Sequence, residues 1–251
     1  MIKYWLAPLS IALLLPVSRG DEPGSATQES TPGSQPKKEL KFVEENVGDM
    51  KLPGGEVKGL RVGKKIEFDQ AWATEHQAPL DRPFEVIVPK GQRIFVSFHD
   101  KSKGRPELAN IQFATEDKQL AENIRLTPIN VPAEPPMDER LHILASLLMR
   151  DGVKMATAGW PKSAAKQIYK TKVGDYDAVV VHGFMQDPER GEYFFKLTGI
   201  LQKGENEGLM AFAMIDPKLS DVKTPADLGS KGQALKVLHS IRFTEDSGEE
   251  S

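Results

Sequence analysis

Apolar residues along the chain recur in two registers, one of period two and one of period near 3.6. Residues 84–88 (Phe-Glu-Val-Ile-Val) and 94–98 (Ile-Phe-Val-Ser-Phe) read as strands separated by a Pro89-Lys-Gly91 turn, a pairing that predicts a hairpin. Residues 111–113 read as a third, shorter strand, and 128–136, with its Pro-Ala-Glu-Pro-Pro run, as a rigid extended loop. Leu141, Leu144 and Leu148 then fall at helical spacing, and Ile143 and Leu147 widen the stripe. Asp138 is the expected N-cap of this helix, and Gly152 its left-handed stop just past Arg150.

The most apolar segments are 178–181 (Ala-Val-Val-Val) and 208–215, apolar on both alternations, which predicts strands covered on both faces. Between them Tyr193, Phe195 and Leu197 alternate with Phe194, Lys196 and Thr198, and the connections at 186–191 and 202–207 are short and polar. Strands joined by such loops form an antiparallel meander. Ala234, Leu235 and Leu238 suggest a last helix ending near 240–243, whereas 162–173 reads equally as helix or strand. The expected fold is α+β: an α/β/α sandwich with a central antiparallel sheet covered by helices on both faces.

The ends differ from this patterned middle. Residues 1–20 carry Lys3, an apolar run from Tyr4 to Leu15 broken only by Pro8 and Ser10, and Ser18-Arg19-Gly20, the layout of a secretory signal cleaved before Asp21. The run falls short of the roughly 20 apolar residues of a membrane span. Residues 21–39 are almost wholly Ser, Thr, Gly, Pro, Gln and charge, a disordered linker by composition. Residues 40–81 are an N-terminal extension of uncertain order, with strand-like alternation at Leu60-Arg-Val62 and Ile66-Glu-Phe68, and 244–251 form an acidic tail. The main domain spans 82–243.

Charge and cysteine content narrow the classes. The formal net charge of −3 becomes more negative when Lys3 and Arg19 leave with the signal, so nucleic acid is not an expected partner. With no cysteine the chain has no disulfide, thiol nucleophile or thiolate metal site, and stability must come from a packed core. The expected location is exported, periplasmic or extracellular.

The order of helix, antiparallel strands and final helix resembles the PsbP-like family over 82–243. The resemblance is carried by Gly174-Asp-Tyr-Asp-Ala178 opening a strand and by Lys236-Val-Leu-His-Ser-Ile-Arg-Phe243. The family often opens with an aromatic strand leading into Pro-x-Gly-Trp, and here Val88-Pro-Lys-Gly-Gln92 lacks the Trp. The fold is shared with a Ran-binding nuclear import factor and many bacterial exported proteins. The resemblance implies a non-enzymatic role in binding proteins or complexes and carries over no catalytic set.

Candidate chemistry is thin. Glu139 and His142 stand one helical turn apart, but di-metal bundle sites need two such pairs. His76, His99, His142, His182 and His239 form no close-spaced metal pair, and His182 is expected at a strand end. Ser163 and Ser240 lack a nucleophile elbow, and Gly229-Ser-Lys-Gly232 lacks the strand that precedes a phosphate loop. Asp175, Asp177, Asp187 and Glu189 could converge around the meander turns, with only part of a calcium-loop pattern. Trp72 and Trp160 are the tryptophans left after the signal is removed, and Trp160, beside Pro161, is a core aromatic or an interface anchor. No catalytic, cofactor or metal residue is assigned. The expected function is an exported, non-catalytic binding or accessory domain acting on a protein or envelope partner; the alternative is a secreted hydrolase with a site assembled from distant residues.

Overall fold

The computed structural model describes residues 39–45, 64–88, 93–99 and 107–244. The signal segment, nearly all of the polar linker, the Leu60-Arg-Val62 alternation, the Pro89-Lys-Gly91 turn and all but Thr244 of the acidic tail lie outside them. In chain order the elements are β1 (Lys64–Phe68), α1 (Gln70–His76), β2 (Phe84–Val88), β3 (Ile94–Phe98), β4 (Ala109–Ala114), β5 (Leu120–Asn130) and α2 (Met137–Leu147). A π-helical turn (Leu148–Gly152) and α3 (Val153–Ala156) prolong α2. Then come β6 (Lys162–Val173), β7 (Tyr176–Asp187), β8 (Gly191–Leu201), β9 (Glu207–Ile215), a 3-10 turn (Pro225–Gly229), α4 (Gln233–His239) and β10 (Arg242–Phe243). The class is α+β, as expected.

The main sheet has seven antiparallel strands in the order β3-β4-β5-β9-β8-β7-β6, and a small sheet has the order β1-β2-β10. The meander β7-β8-β9 is the one the apolar segments predict, with Val180 opposite Thr198 and Thr198 opposite Ala211. Alternation along these strands sorts the core. Val179, Val181, Phe195, Leu197, Met210 and Phe212 pack with Leu141, Leu144 and Leu148 of α2 and its continuation. The opposite parity, Ala178, Ile200, Leu209, Ala211 and Ala213, packs with Ile111, Ile124 and Leu126 beneath α4 and the small sheet.

Several local expectations are corrected. Residues 84–88 and 94–98 do not pair with each other: β2 lies between β1 and β10, and β3 lies at the edge of the main sheet beside β4. Pattern identifies a strand but not its partner, and here that partner comes from residues 64–68 and 242–243. The segment 128–136 is not all loop, because β5 runs to Asn130. Pro128 is accepted there because β4 ends opposite Leu126, so the side of β5 that Pro128 would donate to has no strand among the described residues. Helix α2 starts before Asp138, with Pro136 as N-cap, and Asp138 instead pairs with Lys170 at 3.0 Å. Nor does Gly152 end the helix. It is right-handed, φ −61°, and its missing side chain makes room for Leu197, whose Cδ2 would lie 2.6 Å from a Cβ.

The ambiguous 162–173 segment is strand β6. A bulge between Ala165 and Gln167 shifts its phase, so Ala165 and Ile168 face the α2 core although they stand three residues apart. That spacing is what imitated a helix. From the 40–81 segment, Phe68 and Ala73 join the core beneath α4, and Phe42 bridges Lys170 of β6 in parallel.

Candidate functional site

Helices α2 and α4 do not cover the same strands. α2 packs on β7, whereas α4 packs on β5, β9 and β2. The α4-side face of β6, β7 and β8 is therefore met by the 3-10 turn and by Glu45. Apolar residues hold its two ends, Ala178 and Ile200 at one and Phe184 and Phe194 at the other, but between them buried polar side chains stand beside Val180: Tyr169 and Thr171 on β6, His182 on β7, Lys196 and Thr198 on β8.

One carboxylate organises them. Residues 41–43 pair with β6 through Val43 N–H to Lys170 O and Lys170 N–H to Lys41 O, both 2.9 Å, and the chain then turns Glu45 into the interior. Lys196 Nζ donates to Glu45 Oε2 at 2.6 Å and Oε1 at 2.7 Å, and also to Leu228 O at 3.0 Å. The Tyr169 hydroxyl donates to Oε1 at 2.7 Å, and His239 Nε2 faces Oε2 at 3.2 Å. The side chains of Lys196, Glu45 and His239 are 3%, 1% and 4% exposed.

Burial opposes every charge in this group. It pushes the Glu45 carboxyl up, but the Lys196 ammonium and the hydrogen bonds from His239, Lys196 and Tyr169 outweigh it, and the group titrates at about 2. Desolvation pushes Lys196 down, with Glu45 in opposition, and raises the Tyr169 phenol. His239 and His182 are both pushed down, mainly by burial, with Lys196 adding to it. Lys196 and Glu45 thus form a buried ion pair flanked by two neutral imidazoles. His182 Nε2 lies 2.8 Å from Gln167 Oε1, and its ring meets Tyr169 edge-on at 5.8 Å. Among the described residues, His182 Nδ1, Thr171 Oγ1 and Thr198 Oγ1 are buried without a hydrogen-bond partner. A cavity of about 10 Å³ lies between Lys196, Thr198 and Leu238, room for about one water.

The sequence candidates fare unevenly. His182 lies in the interior of β7 rather than at a strand end, and it and His239 are drawn into the cluster. His142 is half-buried on α2 and Glu139 exposed, and the described residues contain no group of three or more potential metal ligands. His76 stacks on Trp72 at 4.4 Å, and His99 bonds Glu107 O. Ser240 is structural, donating to Val237 O and accepting from Ile87 N–H. The helix N-terminus after Gly232 is occupied by Glu122, whose carboxylate accepts from Ala234 N–H at 2.9 Å. Asp175 and Asp177 do not converge with Asp187 and Glu189, because they sit at opposite ends of the twelve-residue β7. Ser163 is exposed on β6, and Trp160 is half-buried between Tyr193 and Arg190.

Sequence reasoning missed Glu45, Lys196 and Tyr169. The available signal was Lys196 inside an otherwise apolar strand. Arg140 was missed too: it is buried and donates to the carbonyls of Gln202, Val131 and Glu205, tying α2 to the β8–β9 turn.

A second feature lies at the other edge of the sheet. β3 has β4 as its one neighbour among the described residues, and its Phe95 and Phe98 are 52% and 39% exposed. Phe98 meets His76 and Trp72 edge-on at 5.4 and 6.0 Å, beside the stacked Phe68–Phe84 pair. Phe98 and α1 present an aromatic rim on one face of the edge strand, and Phe95 is exposed on the other. No described helix is long and apolar enough to cross a membrane.

No family model and no curated protein matches the chain. Solved structures do. The chain is similar to cyanobacterial PsbP from Synechocystis at 9% identity and a TM-score of 0.47, over 77% of this chain and 99% of that one. It is similar to LpqN, a protein involved in cell envelope biogenesis of Mycobacterium tuberculosis, at 9% identity and 0.43, over 72% and 91%. The Saccharomyces cerevisiae Ran-binding protein Mog1p follows at 8% identity and 0.36, over 71% and 95%. The neighbours thus include PsbP itself, whose group the order of elements resembled.

Proposed function

We propose that this chain is an exported, non-catalytic binding domain that recognises a protein partner through the outer edge of β3, which has no strand partner among the described residues. In this reading the molecule is an α/β/α sandwich, α2 on one face and α4 on the other, delivered outside the cytoplasm by removal of residues 1–20. The observation that carries it is the aromatic rim. That edge, unpaired among the described residues, offers backbone donors and acceptors to an added strand, and Phe95 and Phe98 offer it apolar contact. Among the described residues, the hydrolase alternative would rest on the Glu45–Lys196–His239 cluster. There the acid, base and cation are committed to one another and buried, which favours the binder.

The test is a Phe95→Lys variant. Phe95 projects from the edge strand over polar Gln112, so the change should leave thermal unfolding where it is. The partner recovered from the exported fraction with the unaltered protein should be lost. Retention of that partner by a stably folded Phe95→Lys variant would overturn the assignment to β3.

A further inference from the structure

The face of the main sheet that α2 packs against is not uniform. Its apolar packing draws on β6, β7, β8 and β9, and among the described residues it ends at Phe212 and Met214 of β9 and at Ile129 near the end of β5. Over β3, β4 and most of β5 the same face is polar. Strand register lays two rows across it. Phe95, Gln112 and Asn123 stand opposite one another, and Ser97, Asn110 and Arg125 form the row beside them. Met214 and Phe212 continue the rows onto β9. Phe95 and Ser97 are exposed and Asn110, Gln112 and Arg125 half-buried, so the rows meet solvent.

These groups are held in place and incompletely satisfied. The Arg125 guanidinium lies over the Phe212 ring at 5.8 Å and pairs with Glu107 at 3.2 Å. Asn123, 1% exposed, forms the floor and donates from Nδ2 to Asn110 Oδ1 at 3.4 Å. Its own Oδ1, an acceptor, and Arg125 Nε, a donor, are buried without a hydrogen-bond partner among the described residues.

We infer that this face binds a neutral glycan, with Asn110, Gln112 and Arg125 holding hydroxyls and Phe95 stacking on a sugar ring. The chemistry of the face selects that class. A side-chain amide carries donor and acceptor side by side, as neighbouring sugar hydroxyls do. A hydroxyl answers an orphan donor or an orphan acceptor alike, which a carboxylate or an ammonium cannot. The one cation is already neutralised by Glu107, which disfavours an anionic ligand, and the amides between Phe95 and β9 disfavour an apolar one. From β3 to β9 the rows cross three inter-strand gaps, about 14 Å, which suits a run of sugar rings rather than a single one. The site is a face of the sheet and needs no strand pairing, so it goes beyond the protein partner assigned to the β3 edge.

Titration of the purified protein with maltohexaose, cellohexaose and chitohexaose, followed by NMR, tests it. At least one should shift the side-chain amide signals of Asn110 and Gln112 saturably, and to the same extent in low and high salt. Gln112→Ala should weaken that binding about tenfold, the loss of roughly one hydrogen-bonding group. The same variant should still recover the protein partner that Phe95→Lys loses, so failure of the glycan site and failure of the edge are seen separately. Should Gln112→Ala fail to fold, Ser97→Lys at an exposed position takes its place, and its long side chain across the amides should abolish the shifts. No saturable shift with any of the three sugars, shifts confined to other surfaces, a stronger response of the same amides to polyglutamate, or unchanged affinity in a folded variant would overturn the inference.

Discussion

Lys196 gains its meaning from its neighbours rather than from its place in the sequence. In an apolar strand it reads as one outward position. In the fold its ammonium is buried and neutralised by Glu45. Removing one member of such a pair leaves the other uncompensated, so Lys196→Met should cost about 3–5 kcal/mol in denaturant unfolding. Tyr169→Phe removes one charge-assisted hydrogen bond and should cost about 1.5–3 kcal/mol. The pH dependence has a definite sign. Glu45 titrates at about 2 when folded, below its ordinary 4.5, so its contribution is complete above 4.5 and is lost as pH falls toward 2. That contribution is about 3 kcal/mol. His182 and His239 also have depressed folded values, so the unfolded chain binds their protons first and stability falls as pH drops below 6.5. Glu122 works in the opposite sense, because burial raises its carboxyl. The unfolding midpoint should therefore decline from about pH 6.5 downward, and the decline below 4.5 should be shallower in Glu45→Gln, which keeps other lowered carboxyls such as Asp187 and Asp227. An identical acid limb in that variant would contradict the assignment of Glu45.

At the scale of elements, close backbone approaches decide what sequence pattern leaves open. Gly183 on β7 lies against the β6 bulge, where a Cβ would stand 2.0 Å from Ala164 O, a backbone atom. Gly183→Ala should cost about 3 kcal/mol, at the top of the range for overpacking, because the bulge must move to admit it. For Gly199→Ala the nearest atoms belong to the Leu144 side chain, which can shift, so it should cost less, a comparison that denaturant midpoints make directly. The same distinction explains what was legible. The strands 178–181 and 208–215, the Leu141–Leu144–Leu148 stripe and the last helix were readable because burial imposes strict periodicity on them. β5 was not, because Glu122, Asn123 and Arg125 interrupt its alternation. Glu122 and Asn123 are buried nonetheless, and Glu122 caps α4. β6 was ambiguous because a bulge alters its period, and the partner of β2 was unreadable because strand pairing is set by tertiary contact. The buried cluster was invisible for the same reason: Glu45, Lys196 and His239 are separated by well over a hundred residues, as sequence distance from Glu45 measures it.

On the scale of the whole molecule, one sheet serves two cores of opposite parity, and this fixes how the protein should unfold. Leu144 belongs to the core under α2, and Leu126 to the core under α4 and the small sheet; both are fully buried. Leu144→Ala and Leu126→Ala should each cost about 2–5 kcal/mol, the transfer term plus the cavity left behind. Val180→Ala, at the middle of β7 and also fully buried, should lie at the lower end of that range because fewer methyl groups are lost. Thr31→Ala, in the polar segment before the first described residue, should cost almost nothing. The two leucine sites share no cluster but share the strands β8 and β9 between them, so both losses should appear in a single transition with an unchanged denaturant slope. In the double variant the costs should add to within about 0.5 kcal/mol, the behaviour of distant sites with no common partner. Urea unfolding of the four single variants and the double variant, followed by tryptophan fluorescence and far-UV circular dichroism together, measures this. Trp72 reports on the α4 side and Trp160 on the α2 side. A biphasic curve in which fluorescence and dichroism separate would mean that one face melts before the other, and that the sheet does not bind the two cores into one cooperative unit.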